Sequence, residues 1–329
     1  GAGLAGAGFH ADYLSHTRKF DLTALCDTNS KVLAKAKRKF KVPVFSSLDE
    51  LLGHGDTELV VIATPTAFHA QQAIDVLRAG KHVLVEAPLC LSVREVDAIS
   101  ATARQYRRTV TVFHSHRWDK DFLSLRKPLG DKKLGDLFAL HRQSYVAGAS
   151  WATSAAENSK QPAWRLRRAL GGGIGYDWGY HLIDQVLQLV ASEPELIFGD
   201  AQGRELATEV DDHFTCAIRF RDRTLATIEA SACVRTPGGS WLAVGTKGSI
   251  QGDEKKFKGK TGTPSRQKDL TLRMVNGDAG DFYVNLHKAL TASEKLEVTL
   301  AQAREVVLIL EAAYRSSRIG CAVRLTGFE

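Results

Sequence analysis

Between Leu22 and Phe113 short apolar runs alternate with segments whose apolar residues recur every three or four positions. Leu22–Cys26, Leu59–Ala63, His82–Val85 and Thr109–Phe113 are strand-length runs, while the spacing predicts helices over Phe68–Ala79 and Val93–Tyr106. Strands separated by helices of that length predict a doubly wound parallel sheet. After Trp118 the period changes to two, in Leu137–Val146, His213–Phe220 and Thr224–Cys233, which predicts a mostly antiparallel sheet. Helices over Asp281–Thr291 and Ala301–Ser317 close the chain. The predicted fold class is α/β, with a parallel-sheet domain over residues 1–118 and an α+β domain over 119–329.

A chain of 329 residues exceeds what one hydrophobic core usually serves, which agrees with two domains. No apolar run approaches membrane-spanning length, so no membrane partner is expected. Five cysteines are scattered without a CxxC pair, which argues against a zinc site and a disulfide framework and places the chain in a reducing cytoplasm. A net charge of +7 raises the question of nucleic acid. The lysines from Lys31 to Lys41 are interleaved with Val32, Leu33, Ala34, Ala36 and Phe40, the pattern of a helix with a solvated basic face, and Lys255 to Lys260 sit among glycines in a loop. Neither is a nucleic-acid module, so the charge is read as attraction for anionic cofactors or metabolites.

Gly171 to Asp184 carries the densest chemistry. A helix beginning near Tyr176 puts Asp177, His181 and Asp184 at i, i+4 and i+7 on one face, two carboxylates around an imidazole. Leu182, Ile183, Val186 and Leu187 bury the rest of that helix. Either the triplet lines a cleft, with Asp177 or Asp184 fixing the tautomer of His181, or it is a core histidine satisfied by its neighbours.

The opening residues match GxGxxG: Gly1, Gly3, Leu4, Ala5 and Gly6 form the turn that approaches a pyrophosphate, and Gly8 to Leu14 continue as a helix. No strand precedes Gly1 in the numbered chain, so half of the fingerprint's context is missing. Asp27, about 20 residues past the last fingerprint glycine and at the end of the next strand, stands where a carboxylate accepts adenosine ribose hydroxyls. That favours NAD; Lys31 nearby keeps NADP open. Thr64 and Pro65 end one predicted strand and Glu86 the next, at the crevice where such sheets bind ligand. Trp164 and Arg165 are either an indole and guanidinium near the cofactor or ordinary packing. His116, Arg117, Tyr145, Trp178 and Tyr180 are substrate-pocket candidates, since polyols are held by directional donors and aromatic walls. His114-x-His116 lacks a third ligand in sequence, and no metal site is predicted.

These segments together, with Phe9-His10-Ala11, Ala63-Thr64-Pro65 followed by His69, Val83 to Leu89, His116 to Asp119, Trp164-Arg165 and Gly171 to Asp184, resemble the glucose-fructose oxidoreductase/inositol dehydrogenase (Gfo/Idh/MocA) family in order and spacing. Phe113 to Phe122 is similar to its scyllo-inositol dehydrogenase branch. The resemblance implies a Rossmann-type nucleotide domain, a second domain with a large open sheet, NAD(H) or NADP(H) as cofactor, and oxidation or reduction of one carbinol of a sugar, glycoside or cyclitol. It implies that Thr64, Pro65, His69 and Glu86 lie on the cofactor, that His181 is the general base and that Asp177 orients the reacting group. Apolar alternation at Ile218, Leu225, Thr227, Ile228 and Trp241 would be covered by pairing of sheets in a homodimer or homotetramer.

One position departs from the family's pattern. The family's Glu-Lys-Pro reads Glu86-Ala87-Pro88, and Ala87 stands where a lysine supports proton transfer. Three readings follow: an engineered removal of the lysine, a natural variant relying on His181 or another base, or a non-catalytic cofactor- and sugar-binding regulatory protein. An NAD-dependent glycosidase on the same fold is a further alternative.

Overall fold

The computed structural model describes residues 1–146, 151, 163–206, 209–236 and 238–326. The glycine turn opens into a π-helical segment, Leu4–Ala11, that runs into α1 (Asp12–His16). The nucleotide-type half then alternates β1 (Leu25–Cys26), α2 (Ser30–Phe40), β2 (Val44–Phe45), α3 (Leu48–Leu52), β3 (Leu59–Ile62), α4 (His69–Arg78), β4 (His82–Val85), α5 (Val93–Tyr106) and β5 (Val110–Val112). Every strand pair here is parallel, but the strands form two sheets, β2-β1 and β3-β4-β5. The facing edges of β1 and β3 line one cleft, and Thr23 and Thr57 bridge them through their hydroxyls, 3.1 Å apart. The middle strand β4 is the most apolar, with Val83, Leu84 and Val85 fully buried between helices. Asn29 caps α2, and Ser92 with Glu95 forms a capping box on α5, so both helices start where the polar signal stands in sequence.

The remainder is built on one nine-stranded sheet. After α6 (Lys120–Gly130) come β6 (Leu137–Tyr145), α7 (Tyr180–Leu189), β7 (Pro194–Gln202), β8 (His213–Phe220), β9 (Leu225–Ser231), β10 (Trp241–Gly245), β11 (Gly248–Gly252), β12 (Phe257–Thr263), β13 (Arg266–Thr271), α8 (Gly280–Thr291), α9 (Leu300–Ile319) and β14 (Val323–Arg324). The order is β13-β12-β11-β10-β6-β9-β8-β7-β14, antiparallel except for β6 beside β9. Period two decides which face is dry. Phe214, Ile218, Ile228 and Trp241 are buried in one core cluster with Ile183 and Val186 of α7 and Leu310 of α9. Gly199 admits α9 onto β7, because a Cβ there would lie 2.3 Å from the Ala313 carbonyl oxygen. The opposite face leaves Phe138, Phe198 and Leu225 exposed. The apolar alternation read from sequence therefore divides: Ile218, Ile228 and Trp241 belong to the core, and of that set Leu225 stands exposed.

Candidate active site

A continuous cleft of about 1360 Å³ runs from the slot between β1 and β3, past the glycine turn, to His181. Its walls are set by close backbone approaches. A Cβ on Gly6 would fall 1.8 Å from the Gly1 carbonyl oxygen and one on Gly1 2.4 Å from that of Ala63, whereas one on Gly3 would meet nothing within 4 Å. Gly1 and Gly6 are thus demanded by packing, and Gly3 leaves open space for a ligand. The first turn after Gly3 contains no acidic residue, and helix starts leave amides without intrahelical acceptors. Asp27 fixes this turn as well as facing the cleft: Oδ2 accepts from the Ala2 amide and Oδ1 from the Asn29 amide, both at 2.8 Å. A carboxylate has about four acceptor sites, so capacity remains for ribose hydroxyls. The turn, the absence of acid beside it and Asp27 together fit a dinucleotide.

Further along, Thr64 and Pro65 follow β3, and Glu86, Ala87 and Pro88 follow β4. His69 joins the two ends: one ring nitrogen lies 2.7 Å from the Thr64 carbonyl oxygen and the other 2.9 Å from that of Pro88. Both ring nitrogens face backbone carbonyl oxygens, one of which accepts the single N–H of the neutral ring, so His69 braces the two strand ends while also lining the cleft. Glu86 Oε1 lies 2.7 Å from His10 Nε2, while the other ring nitrogen of His10 contacts the Tyr283 hydroxyl. Burial pushes the Glu86 carboxyl up, but the His10 hydrogen bond and charge outweigh it and hold Glu86 below the usual carboxylate range.

The segment carrying His181 is not a simple α-helix. Gly175–Gly179 forms a π-helical turn before α7, and Asp211 holds it, accepting from the Gly175 amide at 2.7 Å and from the Tyr314 hydroxyl at 2.9 Å. Cβ atoms on Gly175 and Gly179 would strike the Phe214 ring, so the turn lies flat on β8 only because both are glycine. Asp211 lies far from this turn in sequence, between β7 and β8, and no spacing signal links the two.

The wide turn and the neighbours it meets separate the predicted triplet. Asp177 accepts on Oδ2 from Arg165 Nε and Trp151 Nε1, each at 2.9 Å. Asp184 is taken bidentately by Arg117, at 2.8 and 2.6 Å, and both are buried. Neither carboxylate orients His181, which corrects that expectation. Its neighbours are imidazoles instead: the rings of His116 and His114 lie 4.5 and 6.1 Å away, edge-on. His181 Nδ1 is buried with no hydrogen-bond partner among the described residues, and burial, then the positive character of His116 and His114, holds its pKa well below the ordinary imidazole value.

Of the substrate-pocket candidates, His116, Asp177, Trp178 and His181 line the cleft. Arg117 does not, because its guanidinium is spent on Asp184, the Glu297 carbonyl and Gln302. Tyr180 is fully buried, stacked on His114 with ring centroids 5.0 Å apart, so it is core rather than pocket wall. Tyr145 lies at the end of β6, its hydroxyl 2.9 Å from Gln143 Oε1 and 3.2 Å from Glu229 Oε2, outside the cleft lining. Trp164 and Arg165 do line it, with the guanidinium 4.7 Å from the indole centroid. Asp119 is the partner sequence reasoning passed over: its Oδ2 lies 2.7 Å from His116 Nδ1. The i, i+3 spacing His116-x-x-Asp119 was the available signal.

Two family models match this architecture, an oxidoreductase family NAD-binding Rossmann fold over residues 1–114 and a GFO/IDH/MocA C-terminal domain over 122–251. The chain belongs to the Gfo/Idh/MocA family of oxidoreductases. Similarity to scyllo-inositol 2-dehydrogenase (NADP(+)) of Bacillus subtilis runs at 25% identity over 97% of this chain and 92% of that protein. An NAD-binding protein from Listeria innocua superimposes with a TM-score of 0.88 at 26% identity, covering 99% of this chain and 96% of that one. An alpha-N-acetylgalactosaminidase of Shewanella oneidensis is 30% identical over 50% of this chain and 38% of its own length. Like its family, the protein carries an NAD-binding Rossmann fold, and no described helix is long and apolar enough to cross a membrane.

Proposed function

We propose that the protein is a cytoplasmic NAD(P)-dependent dehydrogenase acting on a carbinol of a sugar, glycoside or cyclitol. The observation that carries this reading is the single cleft that joins the glycine turn and Asp27 at one end to Asp177, Trp178 and His181 at the other. Gly1, Gly3, Leu4, Ala5 and Gly6 would cradle the pyrophosphate, Asp27 the adenosine ribose, and Thr64, Pro65, Glu86, Trp164 and Arg165 the nicotinamide half. The bound dinucleotide would supply the hydride acceptor. His181, kept neutral by burial, meets the reacting hydroxyl and accepts its proton; Asp177 holds Arg165 at the wall and orients the polyol. Reduced-cofactor formation against a panel of inositols, hexoses and glycosides tests this. Tight cofactor and sugar binding without turnover, even after Ala87→Lys, would replace it with a non-catalytic binding protein. The likeness to a glycosidase over half the chain supports one second reading, glycoside cleavage with no net change in NADH, which the glycoside arm of the same panel detects.

NAD is the preferred cofactor in this reading. Asp27→Ser removes acceptors for the ribose hydroxyls and the repulsion of a 2'-phosphate, so the ratio of NADP to NAD efficiency should rise about tenfold or more. An unchanged ratio in the kcat/KM values overturns the assignment.

The outer face of the nine-stranded sheet, with Phe138, Phe198 and Leu225 exposed, supports a homodimer or homotetramer. Light scattering at micromolar concentration should give at least twice the chain mass; a monomer contradicts it.

A further inference from the structure

His181 is a good place to receive a proton and a poor place to keep one. Among the described residues it is bonded to no carboxylate: Asp177 is committed to Arg165 and Trp151, Asp184 to Arg117. A cation on its ring would be buried and flanked by two further imidazoles. His116 is placed oppositely. Its ring touches that of His181 edge-on at a centroid separation of 4.5 Å, its side chain is 29% exposed, and Asp119 Oδ2 stands 2.7 Å from Nδ1. A carboxylate only accepts, so Nδ1 carries the hydrogen, and Nε2 is the basic nitrogen of the neutral ring. The loop that presents it is tied down, because Gln185 of α7, which also accepts from buried Arg142, donates to the His116 carbonyl at 2.6 Å.

We propose that His116, oriented by Asp119, is the relay residue that takes the substrate proton from His181, an inference that rests on the dehydrogenase reading above. In the oxidising direction the carbinol C–H leaves as hydride to the dinucleotide, the C–O bond becomes C=O, and the O–H proton goes to His181. It then passes to Nε2 of His116, whose ring lies against that of His181, and Asp119 neutralises the resulting imidazolium. Solvent removes the proton through the exposed edge, and the reductive direction reverses each transfer. Two edge-on imidazoles cannot both hold a charge cheaply, so the pair carries one positive charge, the single excess proton, at a time. The charged and titratable groups on the segment of His116 are His114, Arg117, Asp119 and Lys120, and those facing it on the cleft wall are Arg165, Asp177 and His181.

The test uses the full, unmodified chain and the Ala87→Lys background. His116→Gln should lower kcat about a hundredfold with KM within threefold, and Asp119→Asn should lower it about tenfold. His116→Ala should regain activity when free imidazole is added, which a merely structural residue would not. Unchanged kcat in His116→Gln, or no response to imidazole, overturns the relay. A measurement without cofactor stands beside these: nitrogen-15 NMR of the ligand-free protein at alkaline pH should show the Nδ1–H tautomer at His116 and its loss in Asp119→Asn. The other tautomer in the unmodified chain overturns the proposal whatever the activity. No turnover of any polyol in either background, with the Nδ1–H tautomer present, instead removes the dehydrogenase reading and leaves the Asp119–His116 pair intact.

Discussion

Ala87→Lys is expected to raise reduced-cofactor formation by about two orders of magnitude or more. Position 87 follows β4, lines the same cleft as His116 and His181, and carries a methyl that neither donates nor accepts a proton. An ammonium there would sit beside the reacting hydroxyl and favour its anionic form, a task distinct from receiving the proton. The glutamate before it is already braced, since His10 and the Ala87 amide both bond the Glu86 carboxylate, at 2.7 and 3.1 Å. The new side chain would therefore enter a formed site. In the same background His181→Ala should abolish most of the gain, because stabilising the alkoxide does not remove its proton. The measurement is kcat for the chain as given, for Ala87→Lys and for the double variant, on whichever polyol responds. If the chain as given already turns over at an ordinary enzymatic rate and Ala87→Lys slows it, another residue supplies the missing function and this account of position 87 is wrong.

Asp184→Ala is expected to cost about 3–5 kcal/mol of stability. The change leaves the Arg117 guanidinium buried, still held by the Glu297 carbonyl at 2.6 Å and by Gln302 at 3.1 Å but without a counter-charge. His114, whose pKa is pushed down to about 4 chiefly by burial, lies 3.5 Å from the same carboxylate and cannot substitute for it, because a neutral imidazole supplies no negative charge. The loss should appear as a fall in the urea midpoint. Replacing both partners by apolar residues, Arg117→Met with Asp184→Leu, should recover most of it, since a well-packed apolar pair does not carry the desolvation penalty. A single variant as stable as the parent would show that the pair is not the anchor between the His114–Trp118 loop and α7.

These two expectations rest on different kinds of legibility. Ala87 was visible in sequence because the family resemblance sets a lysine between Glu86 and Pro88, at a strand end where a doubly wound sheet forms its ligand crevice. The role of Asp184 was misread because helical spacing alone put it beside His181. Spacing reports which side chains share a face; it does not report which of them finds a stronger partner across the interior. Arg117, far away in sequence and buried with Asp184, offers a bidentate guanidinium that an imidazole cannot match. The same limit explains Tyr180, an aromatic residue of the motif that packing sends to the core, and Tyr145, which stands at the end of β6.

What the sequence by itself determined is whatever depends on local period and backbone freedom. Val93–Tyr106 and His213–Phe220 appear with the predicted bounds, because a capping box and strict alternation are local signals. The glycine turn is partly local, since the Gly1 carbonyl admits only glycine at Gly6. The tertiary structure decided how charged groups are shared. Asp211 shaping the π-helical turn, His69 bracing two strand ends, and His116 lying against His181 all join separate loops and elements. Buried polar groups must each find a partner, and that competition is settled across the whole interior, where sequence spacing carries no information about distance.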